Sequence, residues 1–321
     1  MEADDNSPMQ PPYFPDGIVR LAHLGVLRAR GADAAKFLQS QLTNDVESMG
    51  AGDVRLAGFC SAKGRLQASF IVWRPAPDEF LLACAADLLP ATLKRLSMFV
   101  LRAQCKLTDA SAELPLFGAA GPSALARAGS VGEWQRSGAP GVLRLPDAGG
   151  VARAILADGA AQTDDTLPLA TWRWLEVQSG TPLIEAATVD QFVPQMVNFE
   201  LLQGVDFQKG CYPGQEIVAR SQYRGTLKRR MFLFDVDAAA APGQEIFDAA
   251  DPGQPAGLVV NAAPRPDAMG WSALVEVKLS ALAADHRLAL GAADGAVLRR
   301  AALPYAVPVD AEPGATRVAA V

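Results

Sequence analysis

Hydrophobic and polar positions recur along this chain with two different periods. Residues 26–30 alternate apolar with basic, the pattern of a half-buried strand, and Gly31 punctuates the run. Asp33 then stands where a helix cap is expected, ahead of Phe37, Leu38 and Leu42 at helical spacing. Residues 54–60 and 65–74 predict two strands joined by the turn Ser61-Ala62-Lys63-Gly64, and residues 79–84 predict another. Residues 88–102 carry leucines at helical intervals. From residue 105 to 157, short apolar runs alternate with Gly/Pro turns and predict a second α/β portion. Residues 168–179 predict a helix with Pro168 in its first turn and Gly180 ending it. Beyond residue 228 the runs shorten to residues 231–236, 256–261, 273–279 and 296–300, spaced by Gly, Pro and Asp as in a small β-barrel. The division expected is a disordered, Pro/Asp/Ser-rich tail at 1–17, two α/β portions over 18–228, and a barrel over 229–321.

A length of 321 residues suits two or three domains. No apolar run is long enough to span a bilayer, and the acidic start Met1-Glu2-Ala3-Asp4-Asp5 lacks the basic and apolar regions of a secretory signal, so a cytoplasmic protein is expected. A net charge of −6 argues against an extended nucleic-acid footprint. The four cysteines form no CxxC pair and only two histidines accompany them, so neither a zinc site nor a disulfide framework is predicted. The same scarcity argues against a resident iron–sulfur cluster.

Candidate chemistry concentrates in Lys209-Gly210-Cys211-Tyr212-Pro213-Gly214-Gln215-Glu216. Gly210 lets the backbone turn, and Pro213 suits the first turn of a helix containing Ile217, Val218 and Arg220. Cys211 would then lie at or just before a helix N-terminus beside Lys209, and both positive charges favour a thiolate. Glu216, in the same first turn, opposes it. Local features alone leave a reactive thiol and a small buried cysteine in a tight loop equally open. Cys60, Cys84 and Cys105 fall on apolar runs and read as packed and inert. His23 and His286 read as surface or core residues.

The string Lys209 to Glu216 resembles KGCYxGQE of the YgfZ family of folate-binding proteins. Further segments agree in order: Gly31-Ala32-Asp33 through Phe37-Leu38-Gln39-Ser40-Gln41-Leu42-Thr43-Asn44-Asp45, Cys60 to Arg65, Phe192-Val193-Pro194-Gln195 with Asn198, and Arg220 with Tyr223-Arg224-Gly225. The resemblance implies an α+β, T-protein-like (aminomethyltransferase) fold, with two α/β portions around a central pocket and a small C-terminal β-barrel. It implies tetrahydrofolate, or a one-carbon derivative, as the ligand and iron–sulfur proteins or their assembly machinery as transient partners. It casts Cys211 and Lys209 as the reactive pair, and Gly210, Tyr212, Gly214, Gln215, Glu216 and Arg220 as residues that order the loop. Trp172 falls where the family places a folate-contacting tryptophan. Leu24 stands in place of the family's other pocket tryptophan, and Gln178 where relatives carry a carboxylate.

The T-protein itself uses an aspartate on the strand after the hairpin. Here Leu66-Gln67-Ala68-Ser69-Phe70 offers no carboxylate, which counts against aminomethyl transfer and leaves open whether the chain is an enzyme. A different folate-dependent one-carbon transfer, or one linked to tRNA modification, is the second reading. No GxxxxGK[ST] loop occurs, so an NTPase is excluded. Lys228-Arg229-Arg230 reads as a solvated edge in preference to an RNA site.

Overall fold

A computed structural model describes residues 14–137, 141–157, 165–223, 227–282 and 286–308. The chain opens with β1 (Gly17–Arg20), β2 (Leu24–Arg30), α1 (Ala34–Gln39), β3 (Val54–Cys60), β4 (Leu66–Ala76), β5 (Glu79–Ala85) and α2 (Leu89–Ser97). Next come β6 (Lys106–Asp109), β7 (Phe117–Ala120), α3 (Gly121–Ala128), β8 (Gln135–Arg136), β9 (Val142–Ala148), β10 (Val151–Leu156) and α4 (Leu169–Gln178). Two 3-10 turns, Ala186–Thr188 and Pro194–Val197, lead to α5 (Gln215–Tyr223). The remainder is β11 (Arg229–Val236), β12 (Glu245–Asp248), β13 (Asp251–Pro264), β14 (Trp271–Lys278), β15 (Leu288–Leu290) and β16 (Leu298–Ala301).

These strands form three antiparallel sheets, ordered β3-β4-β5-β2-β6, β1-β7-β10-β9-β8 and β15-β12-β13-β14-β11-β16. The first two sheets exchange an edge: β1 pairs with β7 of the second, while β2 takes β6 as its outer neighbour. In the third, the bridge Ala289↔Val297 joins the two edge strands, so the C-terminal sheet curls into a small barrel.

Strand alternation explains the layering. On β5, Leu81 and Ala83 face the second sheet, where they pack with Leu143, Leu145, Ile155 and Trp172. Phe80, Leu82 and Cys84 point the other way, among Phe37, Leu38, Leu89 and Leu96 of α1 and α2. A third cluster joins the first sheet to the barrel through Leu56, Leu66, Phe192, Phe199, Val218, Met231 and Leu274. Each such fully buried side chain contributes about 1.5–3 kcal/mol.

Several expectations need correction. Residues 1–13 of the expected tail lie outside the described residues, but Asp16 accepts a hydrogen bond from the Ser123 amide and Gly17 already belongs to β1. Asp33 does precede α1, yet its carboxylate accepts from the Gln104 amide and makes no cap bond, tying the helix start to a neighbouring loop. Pro168 is the residue before α4 and not part of its first turn. Gly180, at φ +67°, follows its last turn, and an added Cβ would stand 2.7 Å from the Tyr305 ring.

Candidate functional site

A narrow cleft with about 50 Å³ of free volume lies where the first two sheets and α4 meet. Leu24 of β2, Ser69 and Ile71 of β4, Arg153 of β10 and Glu176 and the neighbouring Ser179 of the α4 end line it, with Trp134 as its aromatic face. Glu176 is its carboxylate. His23 Nε2 donates to both Glu176 oxygens at 3.1 and 3.0 Å, and Trp172 Nε1 donates at 2.8 Å. Burial alone would raise this carboxyl, but His23, Trp172 and Arg153 together hold it below the usual glutamate range. Arg153 donates through Nε to the Pro146 carbonyl and lies 5.8 Å from the Trp172 ring. Burial lowers its guanidinium to about 10 against the pull of Glu176. Thr181 also lines the cleft, its Oγ1 buried and without a hydrogen-bond partner among the described residues.

Trp134 adopts φ +57°, in the left-handed region that a bulky residue rarely enters. Two backbone bonds hold it there: its amide donates to Arg144 O at 2.8 Å, and its carbonyl accepts from Val54 N at 3.0 Å. It thus ties the first sheet to the second and presents its indole at the boundary between the cleft and a wider groove lined by Asn44, Arg55 and Phe207.

The family-like segments meet at a second place, around the Cys211 loop. Lys209 Nζ reaches the carbonyls of Gln39, Leu42 and Asn44 at 2.5, 2.5 and 3.1 Å, and stands 5.4 Å from the Tyr212 ring. Burial pushes its ammonium down to about 8. Thr43 Oγ1 donates to Gly204 O and accepts from Gly58 N, while Asn44 Nδ2 donates to Leu56 O and Gln203 O. Gly214, at φ +79°, lies so close to the β3–β4 turn that an added Cβ would stand 2.3 Å from Ser61 O and 2.6 Å from Gly64 Cα. Gln195 Nε2 donates to Val218 O of α5, and Asn198 Nδ2 to Met231 O of β11. Tyr212 is buried beneath the loop and Cys211 is exposed at its surface. Cys60 and Cys84 are buried and pushed up to about 12, and half-buried Cys105 to about 11, by loss of water.

The structure places the expected site residues in three ways. Leu24 lines the cleft. Trp172 does not: it is fully buried between the sheets, packed against Gly118, whose absent Cβ makes room for the indole. The cleft's indole is Trp134 instead. Gln178 also lies off the cleft, because two residues along a helix turn a side chain about 200° away from Glu176, which faces it. The carboxylate expected to be missing at this end is therefore present one half-turn earlier. Around Cys211, α5 starts at Gln215, so Pro213 is not in its first turn and the thiol lies four residues ahead of the helix. The left-handed Gly214 prevents an earlier start. Lys209 directs its donors into carbonyls, and Gln215, Glu216 and Arg220 lie on α5. Arg224 and Gly225 lie outside the described residues. The second reading's carboxylate remains absent from β4, whose Ser69 lines the cleft and accepts from Ile184 N. His23, Trp134, Arg153 and Glu176 were not singled out by their sequence context; the Trp172/Glu176 spacing of one helical turn was the available hint.

Comparison with known proteins agrees with this architecture. A family model described as the GCVT N-terminal domain matches residues 16–135. The tRNA-modifying protein YgfZ of Edwardsiella ictaluri is 30% identical over 264 residues, covering 73% of this chain and 76% of that one. Its namesake from Sodalis glossinidius is 28% identical over 322 residues, covering 94% and 96%. The glycine cleavage system aminomethyltransferase T from Bartonella henselae superposes with a TM-score of 0.69 at 18% identity, over 88% of this chain and 83% of that one, and shows the fold. The shared fold, the ordered motifs packed around Cys211 and the matched relatives together establish that this chain belongs to the YgfZ family.

Proposed function

We propose that this chain is a cytoplasmic, folate-binding accessory protein of iron–sulfur cluster assembly or repair, holding tetrahydrofolate or a one-carbon derivative in the cleft and using Cys211 as its functional thiol. The observation that carries the reading is the donor set of the cleft. A pterin has a flat face and an edge of N–H donors. Glu176 supplies acceptors for that edge, Thr181 a hydroxyl with no partner among the described residues, and Trp134 an aromatic face. The residues therefore fit the group. When bound, tetrahydrofolate would carry a one-carbon unit. The chain's own part is to orient the ligand through Glu176, exclude water with Leu24 and Ile71, and keep Arg153 positive beside it. Cys211, the exposed one of the four cysteines, is available to meet an iron, a sulfur or an electrophile on a partner.

Two measurements test this. Calorimetric titration with 5-formyltetrahydrofolate should show binding that Trp134→Ala weakens; no heat at millimolar folate would remove the ligand assignment. In cells lacking the endogenous protein, under oxidative stress, Cys211→Ser should fail to restore iron–sulfur enzyme activity while Cys60→Ser succeeds. Full rescue by Cys211→Ser would show that the thiol has no chemical role.

A second reading, a folate-dependent transferase acting in tRNA modification, draws on the name of the relatives and on the aminomethyltransferase fold. The absence of a carboxylate on β4 counts against aminomethyl transfer in particular and leaves a different one-carbon transfer open. Transfer of a folate carbon to RNA by the purified chain would reverse the ranking.

A further inference from the structure

The segment after α2 gathers exposed apolar side chains in one short stretch. Among the described residues, Met98 is 60% exposed, Phe99 43% and Leu101 88%. Leu101 also holds φ +42°, a strained conformation for a branched side chain that packs against nothing. Three exposed large apolar residues within four positions make a patch that folding does not require. Beside them lies a groove of about 280 Å³, with Phe59 and Val189 on its walls, Lys94, Arg95 and Met98 on its rim, and Gln67 of β4 reaching into it. Gln67 Nε2 is buried there with no acceptor among the described residues. A buried donor left unpaired costs about 1–3 kcal/mol, so an incoming carbonyl or carboxylate oxygen would relieve it.

Charge indicates the occupant. Residues 88–104 hold Lys94, Arg95 and Arg102 and no carboxylate, in a chain of net charge −6. All three are exposed, and none has an ion-pair partner among the described residues. A positive rim around an apolar slot with a buried amide donor complements an acidic segment that carries apolar anchors. Its concavity suits a side chain more than the flat surface of a bilayer. The groove also shares the β3–β4 hairpin with the Cys211 loop: Phe59 and Gln67 flank the turn at residues 61–64 that packs on Gly214.

We infer that the groove beside α2 is a docking site for an acidic, amphipathic segment of a partner protein, held on the same hairpin that supports the reactive-thiol loop. This surface is independent of the folate assignment, which titration of the cleft tests separately. The test is selection from a random-peptide phage library on the full chain, with counter-selection on a Lys94→Glu, Arg95→Glu double variant. Enriched peptides should be net acidic with Leu, Met or Phe anchors. Fluorescein-labelled copies should bind the double variant about tenfold or more weakly, and should weaken in high salt. Met98→Ser with Leu101→Ser, which touches no charge, should weaken binding in low and high salt alike and serves if the charge variant misfolds. Neutral or basic winners, peptides indifferent to both variants, or no enrichment would overturn the proposal. So would flotation with phosphatidylglycerol vesicles that depends on Lys94 and Arg95, which would assign the patch to a membrane surface.

Discussion

The cleft and the Cys211 loop are built by opposite means. Side chains from four distant stretches of chain make the cleft: His23, Trp134, Arg153 and Glu176 converge from strand ends, a turn and a helix. The loop is held chiefly through backbone: Lys209 on three carbonyls, Gly214 against Gly64, Gln195 and Asn198 on carbonyls of α5 and β11. Side-chain sites tolerate exchange at a cost in affinity. Backbone-packed sites fail as a unit, because no substitution leaves the path of the chain unchanged.

The sharpest way to break that contrast is Gly214→Ala. The added methyl meets Ser61 O at 2.3 Å in a left-handed backbone, so stability should fall by about 3 kcal/mol and protease should cut the loop first. Lys209→Met removes three charge-assisted bonds and strands their carbonyls, for a loss of about 2 kcal/mol read by thermal unfolding. In the cleft, Glu176→Gln should leave the fold intact but weaken folate binding about tenfold. It should also flatten acid unfolding. A carboxyl depressed in the folded state contributes stability above its ordinary value of 4.5 and loses it as pH falls further, so wild type should decline more steeply than the variant below that pH. Thiol labelling compares the two regions by exposure. At neutral pH Cys211 should react alone in the native protein, and Cys60, Cys84 and Cys105 only on unfolding. The smallest effect belongs to Gln178→Ala, which should change folate affinity by less than about 0.5 kcal/mol because the side chain lies off the cleft.

The same contrast explains what could be read from the sequence. The β3–β4 hairpin and the Lys209–Glu216 string announce themselves because turn residues and short strands are local choices. Segments of β11, β13, β14 and β16 were visible for the same reason, whereas β12 and β15 were not. Which tryptophan faces the cleft was not legible. Trp172 and Trp134 both sit in apolar surroundings, and the choice depends on Gly118 opening a berth for one and on two backbone bonds holding the other. Which face of α4 meets the cleft is set by what the helix packs against, so the facing of Glu176 could not be read from spacing. Lys209 reaches back across about 170 residues to its carbonyls, a pairing that no local window contains.

The exchanged edge strand bears on how the chain is made. Residues 17–20 leave the ribosome about a hundred residues ahead of their partners, residues 117–120, and β10 must then cover the other edge of β7. Through the synthesis of about a hundred residues, β1 waits unpaired while β2 to β5 assemble beside it without offering it a place. The first sheet therefore cannot be released as a finished module, and its own last edge, β6, arrives only shortly before β7. Nascent chains stalled before residue 117 should expose β1 to protease and chaperones, and those stalled beyond β10 should protect it.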